Sequence, residues 1–377
     1  MEKFVAVCGT NGSVPEVFSK STEEAVKAVS NNCGNLLFQY AACQLIKSPT
    51  KLVGKDISWD PHFINENAGS LVVPSANFLR EGFDFSGMVS FLRKIKIPLF
   101  FLGLGAQAND LSQTTFDFHP SVFELIEILR EQAVGISVRG EFTQRVLQSF
   151  GVNHSLVTGC PSNFINPISN FPELISKKYD QPLDCFIYNA DEPWPKNPNK
   201  KLVEKLIVNW CLSSNGIMVQ QAVPQMIQYL RRNNVFSEPK VKSNFEEKLA
   251  RSLMPDKPIN EFQDFINLRT RTYFTVHQWM EDTSKFNFSI GLRLHGNMIA
   301  WQSGTPALWI YHDARTQELV ETMELPRVSL HNFLDKCKSI EEARDYFNFE
   351  PNKYNERRKY LRSQLDKVLE GTNFGQD

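Results

Sequence analysis

In the stretch Phe288–Pro306, FSIGLRLHGNMIAWQSGTP, an arginine and a histidine stand on either side of one leucine. Arg293 supplies a fixed cation, and His295 an imidazole that titrates near neutrality. Side chains two apart share a side in extended backbone and diverge in a helix. The two groups serve one pocket if Arg293–His295 sits at an extended strand end. Gly296 and Asn297 would then open the following helix, whose free N–H groups and dipole favour anions. The chemistry expected is anion binding with proton transfer beside it. The alternative is a buried pair that caps the helix.

The elements that must hold this tip are legible as a repeated unit: a short apolar strand, a polar tip, then a helix. Val5–Cys8 is the first strand, and Asn31–Asn35 a loop that opens a helix through Leu45. Leu71–Pro74, Pro98–Leu102, Val134–Val138 and Leu156–Thr158 follow as strands, with helices over Met88–Ile95, Ser121–Glu131 (Ser121 as N-cap) and Glu141–Phe150. Such alternation indicates a parallel sheet covered on both faces, with ligands bound beyond the carboxyl ends of its strands. Asn77, Gln107, Arg139 and Cys160 fall at those ends. Arg139 opens a helix, where a cation is unfavourable; the mismatch points to an anionic ligand or a carboxylate from elsewhere, the alternative being an ordinary surface arginine. Cys160, before Pro161, reads as a structural turn residue.

Phe164–Pro182 carries three prolines and weak periodicity, as a linker would, and then the alternation restarts. Strands are expected at Leu183–Tyr188, Gly216–Gln220 and Ala307–Tyr311, with helices at Lys200–Ser213, Pro224–Leu230, Ile259–Leu268, Thr272–Glu281, Ile340–Phe347 and Asn352–Leu369. Residues 232–260 resist assignment. The expected organisation is an N-terminal Rossmann-like domain over 1–163, a linker over 164–182, a C-terminal Rossmann-like domain over 183–335, and helices over 336–377 that pack near the junction. The fold class is α/β, two doubly wound domains facing a cleft in the GT-B arrangement of glycosyltransferases.

Downstream, YHDARTQE places His312, Asp313, Arg315 and Glu318 after a strand. His312 with Asp313 is either a base and its orienter or, more commonly, a loop with Asp313 as N-cap. Arg315 and Glu318 are spaced to pair on a helix. The remaining histidines show no ligand spacing, so no metal site is expected. Trp210, Trp279 and Trp301 read as core, whereas Trp194 is the best exposed aromatic.

Composition bounds the partners. The 377 residues are 42% hydrophobic and 22% charged, with a net charge of −1, which gives no case for nucleic-acid binding. Anion binding must come from a local pocket. Seven cysteines without a CxxC pair indicate a reducing compartment. No signal peptide or spanning segment is expected, and the N-x-[ST] triplets at Asn11, Asn153 and Asn287 carry no weight. The expected location is the cytoplasm, at the inner face of a membrane where lipid-linked substrates are built.

GLRLHGN, with CGN, SVRGEFT and VTGCPS upstream and YHDARTQEL downstream, resembles the polysaccharide pyruvyl transferase family over roughly residues 31–326. The resemblance implies transfer of a pyruvyl group from phosphoenolpyruvate, a substrate rather than a cofactor, to a sugar of a cell-surface polysaccharide or its lipid-linked precursor, usually as a ketal. It implies donor contacts by Arg293, Leu294 and His295 in the C-terminal half, with the acceptor entering from the N-terminal half. Arg293 and His295 are the expected catalytic pair; Arg139, Leu294, Gly296, Asn297, Asn35, Asn77, Gln107, His312 and Arg315 are the expected substrate contacts. The chain departs from the family in having Asn35 where Asp is frequent, which puts acceptor chemistry there in question. The rival functions are a nucleotide-sugar glycosyltransferase and a non-catalytic glycan-binding subunit.

Overall fold

The computed structural model describes residues 3–232 and 234–372. Its strands are short and apolar. In the N-terminal half they are β1 (Phe4–Cys8), β2 (Thr50–Val53), β3 (Ala68–Pro74), β4 (Leu99–Leu104), β5 (Ala133–Val138) and β6 (Ser155–Val157). In the C-terminal half they are β7 (Phe186–Asn189), β8 (Gly216–Val219), β9 (Thr270–Arg271), β10 (Phe288–Gly291), β11 (Ala307–Tyr311) and β12 (Arg327–Ser329). All pair in parallel, in the orders β2-β1-β3-β4-β5-β6 and β12-β11-β10-β7-β8-β9. β1, β3, β4, β7 and β10 are buried on both faces. Val5 and Val7 enter one apolar core and Phe4, Ala6 and Cys8 another, as alternation along a strand demands. The architecture is the expected pair of doubly wound α/β domains in a GT-B-like arrangement.

In the second sheet the order reverses between β7 and β10, where Asn189 and Gly291 are partners. That reversal opens a crevice at the carboxyl ends of the strands. The Arg293–His295 tip lies just beyond it.

The two halves are joined closely. Ser13 bridges Thr275, flanked by Val14 N–H to Phe274 O at 2.9 Å and Val276 N–H to Gly12 O at 2.8 Å. The Cys33 N–H donates to Gln221 O at 2.8 Å. The helix Pro351–Leu369 follows the second domain in the chain yet packs on β5 and β6 of the first. Its Tyr354 hydroxyl donates to Asn163 Oδ1 at 2.8 Å and accepts from Trp301 Nε1 at 2.9 Å, linking both domains.

Several local expectations need correction. The stretch read as a linker contains the helix Phe171–Tyr179, whose Phe171 and Ile175 are fully buried. The cap of Pro120–Glu131 is His119, not Ser121, because Pro120 takes the first helical position. Residues 239–253 form a helix with Leu249 and Leu253 one turn apart in the core. Helices Thr22–Ala28 and Pro61–Asn67 and strands β2, β9 and β12 escaped sequence reading.

Candidate active site at the interdomain cleft

The loop after β10 is shaped by glycine and asparagine. Gly291 has φ +158°, and a Cβ there would lie 2.3 Å from Asn189 O. Helix Leu294–Gln302 follows, with Arg293 as its extended N-cap at φ −90°, ψ 114°. Asn297 is fully buried; its Oδ1 accepts from Asn189 Nδ2 and Ser289 Oγ, both at 2.9 Å, and its Nδ2 donates to Gly291 O at 3.0 Å. Gly296 lets this helix lie against the ends of β7 and β8, since a Cβ would meet Asn189 Oδ1 at 2.2 Å and Gln221 Nε2 at 2.3 Å. Leu294 is buried in the core and its carbonyl accepts from Trp309 Nε1 at 3.1 Å. Leu294, Gly296 and Asn297 therefore hold the tip in place through packing and backbone geometry.

The expected all-extended Arg293–His295 does not hold. Only Arg293 is extended, and His295 lies in the first helical turn. Their side chains accordingly meet different partners. The Arg293 Nε lies 2.8 Å from Asp191 Oδ1, and its Nη2 donates to Asp191 O at 3.2 Å. Asp191 also pairs with Lys200 at 2.9 Å. Burial would raise the Asp191 carboxyl, but the two cations outweigh it and hold it below the usual range.

His295 turns to the N-terminal domain. Its Nε2 lies 3.7 Å from Cys160 Sγ, and its ring centroid 5.3 Å from that of Phe38. Burial, then the charges of Arg139 and Arg315, push the imidazole down to about 3, so it is neutral at pH 7. Cys160 thus has an imidazole beside it, and its thiol accepts from Ser162 Oγ at 3.0 Å.

Arg139 is only 3% exposed. Its Nε donates to Gly103 O at 2.9 Å and its Nη1 to Asn77 Oδ1, and its Cδ passes over Gly105, where a Cβ would sit 2.7 Å away. Among the described residues its direct partners are these neutral oxygens, with no ion pair. Burial weakens its hold on its proton, the charge of Arg315 adds to this, and Cys160, Glu318 and Asp313 oppose it. A guanidinium so placed remains charged.

Asp313 is the N-cap, as the commoner sequence reading held; its Oδ1 accepts from Thr316 N–H at 2.8 Å. It nevertheless also faces both neighbours, with Oδ2 3.3 Å from Arg315 Nη2 and 3.7 Å from His312 Nε2. Against burial, Arg315 and His312 hold its carboxyl down at about 2. Burial lowers His312 to about 4. The expected Arg315–Glu318 pair does not form. Arg315 takes Asp313, while Glu318 accepts from Thr143 N–H at 2.6 Å and Thr143 Oγ1 at 2.7 Å in the other domain.

A cleft of about 530 Å³ opens beside this cluster, lined by Arg80, Gln107, Trp194, Lys196, Lys200 and His312 among others. Gln107 thus stands at the cleft, as does Trp194. Asn35 does not join the cluster: its Nδ2 donates to Val29 O at 3.0 Å within its own loop. The structure gathers Arg139, Asn77, His295, Arg315 and His312 from both domains. Sequence reading missed Asp191, Lys200 and Thr143. Asp191 had a usable signal, being two residues beyond the end of β7. Among the described residues no three His, Cys, Asp or Glu gather as metal ligands would, and no helix is long and apolar enough to cross a membrane.

Solved structures with similar chain paths include MnaA of S. aureus with UDP (12% identity, TM-score 0.44, 95% of this chain and 91% of that one). The UDP-N-acetylglucosamine 2-epimerase of Rickettsia bellii has 14% identity and TM-score 0.43, over 99% and 97% of the two chains. An alpha-glucosyltransferase in complex with UDP and a 13-mer DNA has 9% identity and TM-score 0.45, over 97% and 99%. No curated protein matches the sequence. The family model for polysaccharide pyruvyl transferase matches residues 32–314, and the chain belongs to that family.

Proposed function

We propose that this protein transfers the pyruvyl group of phosphoenolpyruvate to a sugar of a cell-surface polysaccharide or its lipid-linked precursor, forming a ketal. One observation carries the reading. Arg139 is buried without a carboxylate in ion-pair reach among the described residues, and Arg315 and the neutral His295 approach it from the other domain. Phosphoenolpyruvate brings the complementary charge as a phosphate and a carboxylate, which arginine forks pair well. Arg139 and Arg315 hold these oxygens, and Arg293, tied to Asp191, keeps the neighbouring loop against the cleft.

Once the methylene carbon takes a proton from solvent, the adjacent carbon becomes electrophilic and a sugar hydroxyl adds to it. The resting imidazole of His295 is too weak an acid to supply that first proton. Held unprotonated, it can take the proton of the attacking hydroxyl, which becomes strongly acidic as it adds to the electrophilic carbon. The imidazolium so formed, destabilised by Arg139 and Arg315, returns its proton to the departing phosphate. Addition of the second hydroxyl, whose proton passes to solvent and so balances the one taken up at the methylene, closes the ketal. Trp194 and Gln107 line the cleft from which the acceptor enters.

A thermal-shift panel tests this reading. A ligand that binds only the folded state raises the midpoint as its concentration exceeds Kd. Phosphoenolpyruvate should raise it and UDP should not. The reverse pattern would favour a nucleotide-sugar transferase and overturn the donor.

A further inference from the structure

Helix Glu141–Ser149 begins directly after Arg139, yet its N-cap is Gly140, which has no side chain to bond the free N–H groups. The missing acceptor arrives from the other domain. Glu318, on helix Ala314–Thr322, takes the Thr143 N–H at 2.6 Å and the Thr143 hydroxyl at 2.7 Å. Thr143 Oγ1 in turn accepts from Ala106 N–H at 3.0 Å. Ala106 follows Gly105, over which Arg139 passes. One carboxyl thus fixes the first turn of the helix that follows Arg139 and, through the Thr143 hydroxyl, the loop beneath it. The fit is close. A Cβ on Gly140 would lie 2.4 Å from Glu318 Cγ and 2.5 Å from Thr322 Oγ1. Glu318 is only 4% exposed and Thr143 is fully buried, so water does not substitute for either partner.

We propose that Glu318 is a positioning residue, a helix cap supplied across the domain junction that sets the Arg139 guanidinium for anion binding. Anion affinity then depends on how the two domains are docked, although Glu318 touches no ligand. Neutralising Glu318 without changing its shape keeps an oxygen to accept from Thr143 N–H, whereas truncation removes the cap. The inference rests on Arg139 holding an anion, as in the proposed function, but not on that anion being phosphoenolpyruvate.

The test compares wild type, Glu318→Gln and Glu318→Ala in equilibrium binding of phosphoenolpyruvate and, separately, inorganic phosphate, well below each variant's melting temperature. Loss of the two hydrogen bonds to Thr143 should weaken binding of both probes to Glu318→Ala by about tenfold, while Glu318→Gln stays within about threefold because one acceptor survives. A merely structural role would lower the melting temperature of Glu318→Ala and leave the dissociation constants unchanged, which overturns the proposal. If phosphate binds and phosphoenolpyruvate does not, the donor assignment falls and the phosphate series still decides the role of Glu318. If wild type binds neither probe, Arg139 holds no anion and both ideas fall.

Discussion

At the scale of single residues, the site is defined by charge left without a partner. Arg293 and Lys200 share Asp191, and Arg315 has Asp313, but Arg139 is met by neutral oxygens. Replacing Arg139 by Ala should therefore raise the KM for the anionic donor by about 10- to 100-fold, the range of lost charge-assisted bonds. Lys should restore only part, since it cannot keep both the Asn77 and Gly103 contacts. His295 makes a different prediction. As a base held at about 3, it is already deprotonated well below neutrality. The pH–rate profile should show no limb near 6.5 from this histidine, and His295→Ala should lower kcat by about 10²–10⁴-fold. A limb near 6.5 that vanishes in His295→Gln would show that the imidazole is protonated in the working range, contrary to the mechanism.

At the scale of elements, the tip is held by close packing of helix Leu294–Gln302 on the ends of β7 and β8. Gly296→Ala inserts a methyl group between the amides of Asn189 and Gln221. Overpacking of this kind costs about 1–3 kcal/mol, and chemical denaturation should report that loss with an unchanged m-value. The same elements show how far the sequence could be read. Strand ends were legible because five-residue apolar runs followed by polar tips are a strong signal, and Asn77, Gln107 and Arg139 do lie just beyond the ends of β3, β4 and β5. Strands β9 and β12, of two and three residues, have too little periodicity to detect. The switch from extended to helical backbone fell at Leu294, one residue inside the Arg-Leu-His motif, and spacing alone does not locate it. The contacts of Cys160 with His295 and Thr143 with Glu318 span 135 and 175 residues. They follow from domain docking, which leaves no local trace.

At the scale of the whole molecule, four buried groups give stability a pH dependence between about 3 and 8. Burial lowers His295 and His312 to about 3 and 4, so the unfolded chain binds more protons than the folded one below the ordinary 6.5. Stability from this pair is present above 6.5 and is lost as pH falls toward 3. Glu204 and Glu318 behave oppositely. Burial raises them from 4.5 to about 8 and about 7, so the folded state holds protons that the unfolded chain releases. Their contribution is complete below 4.5 and is lost as pH rises toward 8. The two trends offset one another between 4.5 and 6.5. Melting temperature should be broadly maximal there and decline on the alkaline side. The double variant Glu204→Gln with Glu318→Gln should flatten that alkaline decline; a decline of unchanged slope would assign it to other groups.

An anion site around Arg139, assembled from both domains, is the central proposal. Isothermal titration of phosphoenolpyruvate into wild type and Arg139→Ala, with matched folding confirmed by circular dichroism, tests it most directly. Saturable binding to wild type that is weakened by about tenfold or more in Arg139→Ala is the predicted result. Equal affinity in the two proteins, or no heat of binding to wild type, would contradict it.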